Sequence, residues 1–154
     1  MELPELELER IARVHVELDD ALQVGPTARG VRRVVPITGG RIDGDRLRGE
    51  ILPGGADWQL VHDDGSTTID TRYTARTDDG ALVYLATSGV RHGTADVLRR
   101  VAAGEAVDPR EYYFRLGVRL ESGDERYAWL TRTLFVASAA RLVDAVAYDL
   151  YALA

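Results

Sequence analysis

Apolar and polar residues alternate along most of this chain with a period of two. Leu6, Leu8, Ala12, Val14, Val16 and Leu18 are interleaved with Glu7, Glu9, Arg13, His15 and Glu17. Successive side chains of a β-strand point to opposite faces, so this pattern predicts a half-buried strand. Similar runs predict strands near Val31–Thr38, Arg46–Leu52, Asp57–His62, Thr67–Thr77, Ala81–Arg91, Arg110–Glu121, Arg126–Ser138 and Leu142–Leu153. Asp64-Gly65 and Asp79-Gly80 separate neighbouring runs, and glycine accepts the positive φ that tight hairpin turns require. One segment breaks the rhythm. Thr94 to Gly104 offers a threonine N-cap, the first-turn acid Asp96, helix-forming residues and a glycine stop, which predicts a helix of about three turns. About nine sequential strands with short links predict an all-β chain forming one domain over residues 1–154. The expected architecture is an antiparallel up-and-down β-barrel of the calycin or lipocalin kind, with one short helix at a mouth. A two-sheet sandwich is the alternative.

Strand alternation also sorts the polar residues into rows. Asp57 and Gln59 share a face, with Trp58 and Leu60 on the other. Arg72 points with Asp70 and Thr74, while Tyr73 points with Ile69 and Thr71. Arg115, Arg119 and Glu121 share a face opposed by Phe114, Leu116 and Leu120, and Tyr127, Trp129 and Thr131 form a further row. Periodicity alone does not fix which row faces inward. An ionisable side chain in a strand needs water or a partner, because an unpaired buried charge costs several kcal/mol. One reading joins Asp57, Arg72 and Glu121 in a polar pocket, with Tyr113 or Tyr127 beside them and Trp58 or Trp129 as walls. Tyr73 and Arg115 complete the binding set. A desolvated carboxylate can act as general acid or base, and an arginine fork can hold a carboxylate or enolate oxygen. The bland reading makes Asp57 and Arg72 a structural ion pair and the tryptophans core.

The motifs carry a resemblance. Gly30-Val31-Arg32-Arg33 with Pro36-Ile37-Thr38-Gly39-Gly40, then Gly49 to Trp58 with its Gly54-Gly55-Ala56-Asp57-Trp58 segment, resemble the bacterial and fungal family known as domain of unknown function 3237. Asp70 to Tyr73, Asp79-Gly80, Tyr113-Phe114-Arg115, Tyr127-Ala128-Trp129-Leu130 and Leu134-Phe135-Val136 follow in the same order. The chain differs from that pattern at Leu120-Glu121-Ser122, at Thr131 and at Ala137-Ser138-Ala139. The resemblance implies an antiparallel barrel, and it brings an association of some fungal relatives with cyclisation in polyketide pathways.

Composition narrows the chemistry. A hydrophobic content of 45% with 29% charged residues is that of a globular chain, and no apolar run approaches a membrane span. The acidic, alternating N-terminus lacks the character of a signal peptide, which makes the cytoplasm the expected location. There is no cysteine, so thiol chemistry and thiolate metal sites are excluded. Every basic residue is arginine, which removes lysine Schiff-base catalysis. A net charge of −6 argues against a nucleic-acid footprint. His15, His62 and His92 supply no converging metal-ligand spacing, and no serine sits in a nucleophile elbow. No cofactor is expected. The expected partners are a small-molecule substrate or ligand and, in an oligomer, further copies of the chain. Three functions fit: a cofactor-independent cyclase, isomerase or lyase for a carbonyl or polyketide-like metabolite; a carrier of an apolar ligand; or an oligomeric domain whose polar cluster only fixes register.

Overall fold

The computed structural model describes residues 1–154. Its strands are β1 (Leu8–Leu18), β2 (Leu22–Thr27), β3 (Gly30–Asp43), β4 (Gly49–Ile51), β5 (Gly55–Val61), β6 (Thr67–Thr77), β7 (Leu82–His92), β8 (Tyr113–Glu121), β9 (Phe135–Arg141) and β10 (Ala145–Leu153), with one α-helix, α1 (Ala95–Ala102). Every pairing is antiparallel, from β6 through β7, β8, β9 and β10 to β1. β1 then closes onto β3, and β4 and β5 lie end to end between β3 and β6. β2 continues the line of β1 along the start of β3. The result is a closed eight-stranded barrel with two extra strand segments.

Alternation builds the interior. On β8, Phe114, Leu116, Val118 and Leu120 are buried, while Tyr113, Arg115, Arg119 and Glu121 face water. On β6, Ile69, Tyr73 and Ala75 face inward and Asp70, Arg72 and Arg76 outward. The two ends of the barrel are finished differently. At one end a 3-10 segment, Glu125–Arg132, brings Tyr127 and Leu130 over the core, where Leu130 and Leu47 are each only 1% exposed. At the other end α1 docks Val97 and Val101, each valine burial contributing roughly 1.5–3 kcal/mol. No helix is long and apolar enough to cross a membrane.

Two expectations are corrected, and one strand, β2, was not among those expected. The stretch Arg126–Ser138 is not one strand: the 3-10 segment fills its first half and β9 begins at Phe135. The Asp124 carboxylate accepts the Arg126 amide, and Tyr127 and Leu130 are buried three residues apart, the period of a 3-10 turn. Thus Tyr127, Trp129 and Thr131 do not form a strand row. β2 carries no apolar alternation because it is largely exposed, and Gly25 and Pro26 interrupt it, with a register shift between Gln23 and Gly25. The helix has eight residues, about two turns rather than three. Its Thr94 cap stands as expected, accepting the Val97 amide at 3.4 Å.

Candidate active site at the barrel mouth

Asp57 sits on β5 opposite Val35 of β3 and Thr71 of β6, and only 6% of it is exposed. Its row partner Gln59 is buried with it, as the alternation of β5 requires. Gln59 Nε2 donates to Asp57 Oδ2 at 2.6 Å, and the Asp70 backbone amide donates to Oδ1 at 3.1 Å. Arg33 Nη2 donates to Gln59 Oε1 at 2.7 Å, which fixes the Gln59 amide and aims its NH₂ at the carboxylate. Burial pushes the Asp57 carboxyl above its ordinary range. Hydrogen bonds from Gln59 and the Asp70 amide and the charge of Arg91 oppose that shift without cancelling it.

Above Asp57 the barrel opens into a cleft of about 270 Å³, lined by Arg33, Gln59, Arg91 and Arg141, with Val101, Ala102 and Gly104 on the helix side. Arg91, at the end of β7, is 7% exposed. Burial, and then repulsion from Arg33 and Arg141, pushes its guanidinium down to about 10. Arg141 is lowered as well, by burial first and then by Arg33. Arg141 Nη1 donates to the Ala145 carbonyl at 2.8 Å, and its backbone amide donates to the Tyr112 hydroxyl at 2.9 Å. The Nε atoms of Arg33 and Arg91 are sealed from solvent and have no acceptor. Below the cleft the interior is nearly filled. A gap of about 30 Å³ remains beside Asp57, Thr71, Thr87, Tyr73 and Tyr148, room for about one water. The Thr71 and Thr87 hydroxyls bond to each other, as do those of Tyr73 and Tyr148 at 2.5 Å. Burial pushes both tyrosine hydroxyls well above their ordinary range. No three His, Asp or Glu side chains converge as metal ligands would.

The other sequence candidates scatter. Arg72 does not meet Asp57. It lies on the outer face with its side chain 53% exposed, pairs with Asp70 at 3.2 Å and stacks over Trp58 at 5.0 Å. Adjacent residues on a strand point oppositely, so the motif that places Tyr73 inside puts Arg72 outside. Glu121 is exposed at the end of β8, opposite Tyr84. Tyr113 and Arg115 lie on the outer face, with Tyr113 stacked on His92 and Arg115 over its ring. Tyr127 and Trp129 belong to the closed end: Tyr127 donates to Asp79, and Trp129 packs on Phe135 beneath Arg46. Of the candidate set, Asp57 and Tyr73 line the small gap inside the barrel, and Asp57 is joined to the mouth cleft by its hydrogen bond from Gln59. Arg33, Arg91 and Arg141 were missed. The signal for two of them lay in the rows, since Arg91 follows Val83, Leu85 and Thr87 on the inward face and Arg33 precedes Val35 and Ile37.

Fold and site define a closed antiparallel barrel with a buried carboxylate beneath an arginine-lined mouth. Residues 6–153 match the family described as "Protein of unknown function (DUF3237)", and the chain belongs to that family. A UPF0311 protein of Rhodopseudomonas palustris is 39% identical over 148 residues, covering 96% of this chain and 97% of that protein. The PR-toxin biosynthesis cluster protein 7 of Penicillium roqueforti is 26% identical over 142 residues, covering 80% of this chain and 76% of that protein. Among solved structures, a beta-barrel like protein from Acinetobacter baumannii superposes with a TM-score of 0.88 at 46% identity, covering 99% of each chain. An enzyme from Penicillium herquei shares the fold with a TM-score of 0.73 at 18% identity, covering 100% of this chain and 98% of that one.

Proposed function

We propose that this protein is a cofactor-independent acid–base enzyme acting beside a carbonyl group of a small, carbonyl-bearing or polyketide-like metabolite, in a cyclisation, isomerisation or elimination. The observation that carries this reading is Asp57: a carboxylate withdrawn from water, held by the Asp70 amide and by Gln59, which itself lines the mouth cleft, and bordering the small gap inside the barrel. A carboxyl with a raised pKa is a stronger base when ionised and holds a proton for donation nearer neutral pH. In the proposed reaction Asp57 takes a proton from the carbon next to the carbonyl. The negative charge that develops on the carbonyl oxygen is stabilised by the combined positive field of the arginines that line the cleft. Asp57 then returns the proton at the position that completes ring closure, double-bond shift or loss of a leaving group.

The Penicillium roqueforti relative, named for a toxin biosynthesis cluster, supports a metabolite as substrate. A carrier of apolar ligands has less support, because the interior gap is only about 30 Å³ and the larger cleft at the mouth is lined by arginines and aspartates. Proton abstraction can be tested before the substrate is identified. A panel of small keto acids and cyclic ketones is incubated with the protein in D₂O, and loss of α-proton NMR signal reports the abstraction. Wild-type protein is expected to accelerate exchange in at least one member. Asp57→Asn, which keeps shape but loses the titrating proton, is expected to slow it by about 10²–10⁴-fold with KM little changed. Equal exchange by a folded Asp57→Asn variant rules Asp57 out as the base.

A further inference from the structure

Most arginines of this chain are satisfied at the surface by carboxylates, as Arg13 is by Asp149, Arg99 by Asp96 and Arg126 by Asp124. Arg33, Arg91 and Arg141 are not. They converge on the mouth cleft, close enough for Arg33 to depress both of the others, and belong to no ion pair. The negative groups in reach are few. Asp57 lies below and is spoken for by Gln59 and the Asp70 amide. Asp19, Asp20 and Asp144 stand at the rim, exposed to water. One buried and two half-buried guanidinium groups therefore face a single buried carboxylate. Arg91 is the most exacting, since it is almost wholly buried, packs over Phe114 at 5.5 Å and leaves Nε without an acceptor. A buried donor without a partner is destabilising, more so when charged, and a bound ligand is one partner that offsets that cost.

We infer that the mouth is a binding site for a carboxylate group: Arg91 and Arg141, with Arg33 beside them, take the carboxylate of an organic acid and hold the remainder of the molecule in the cleft. The planar guanidinium fork matches a carboxylate's two oxygens. Doubling the ligand's charge scales attraction and repulsion alike, and the fork also matches phosphate, so competition with inorganic phosphate distinguishes the two anions. On the reading of Asp57 as acid–base residue, a carboxylate site makes the substrate class keto acids or cyclising carboxylic acids. The anion site itself does not depend on that reading.

Benzoate and its neutral isostere benzamide separate charge recognition from apolar filling. Titrated into the wild-type protein in a calorimeter, benzoate is expected to bind, with affinity falling as salt is raised, and benzamide is not. Arg91→Gln and Arg141→Gln are each expected to weaken benzoate binding on the order of ten- to a hundredfold. Arg110→Gln, on the surface, is expected to leave it unchanged. Asp57→Asn is expected to bind benzoate at least as well as wild type, because a neighbouring negative charge is gone. Binding of benzamide as tight as that of benzoate, or benzoate affinity unchanged in Arg91→Gln, overturns the proposal, as does failure of benzoate to bind. Inorganic phosphate displacing benzoate at lower concentration overturns the carboxylate assignment. None of these outcomes bears on proton abstraction by Asp57, and loss of Asp57-dependent exchange would leave the anion site standing.

Discussion

Asp57 and Arg91 are the residues whose charge the fold makes expensive, and pH exposes the cost of the first. The Asp57 carboxyl lies above its ordinary range in the folded protein, chiefly through burial, whereas in the unfolded chain it titrates near about 3.9. Folding therefore favours the protonated form. The associated stability is fully present below the unfolded value and is lost as pH rises through the folded one. Asparagine at this position has no proton to lose. The melting temperature of Asp57→Asn is expected to gain on that of wild type as pH is raised from about 4 towards 7. A difference that stays flat across that window sinks the account of Asp57 as a desolvated carboxyl. Sequence alternation made the shared row of Asp57 and Gln59 legible, because β5 keeps its period from Asp57 onward, but not that this row faces inward. It did not identify the partner. A motif names residues in order but not the face they occupy, and Arg72, one residue before inward Tyr73, was bound to point away.

Elements were legible where one face is buried and illegible where none is. β6 was read with its bounds intact because its row of Thr67, Ile69, Thr71, Tyr73, Ala75 and Thr77 is buried throughout. β2, exposed on both faces, leaves no such trace. The glycines fix the closure between elements. Gly40 lies in β3 at the seam with β1, has φ 134°, and a Cβ there would stand 2.1 Å from the His15 carbonyl oxygen. Neither strand can retreat without opening the barrel, since β1 is held on its other edge by β10. Gly40→Ala is expected to cost about 3 kcal/mol or more by urea unfolding, combining backbone strain with overpacking. Gly54 has a similar φ of 112° but open space around it, so Gly54→Ala is expected to cost only roughly 1–2 kcal/mol. Equal costs at the two positions would mean that φ alone, and not the closeness of the β1–β3 seam, decides which glycines the barrel needs.

Across the whole molecule, the barrel separates a stabilised end from a chemical one. Leu130 and Leu47 complete the core under the 3-10 segment, whereas the opposite mouth gathers Gln59, Arg33, Arg141 and the buried Arg91, with Asp57 buried beside Gln59, and burial disfavours the charged forms of Asp57 and Arg91. The sequence reading placed Tyr127 and Trp129 with the site because a strand pattern was assigned to them; the turn at Ser122-Gly123-Asp124 sends them to the far end instead. This division predicts separable defects. Leu130→Ala removes a side chain that is 1% exposed and is expected to cost about 2–5 kcal/mol. In a chain of this length that lowers the melting temperature by roughly 4–20 °C. Below the transition, benzoate affinity of this variant is expected to equal that of wild type, because Leu130 lies at the other end of the barrel from Arg91. If a folded Leu130→Ala protein loses benzoate binding, the two ends are coupled through the sheet, and the closed end must then be counted as part of the site.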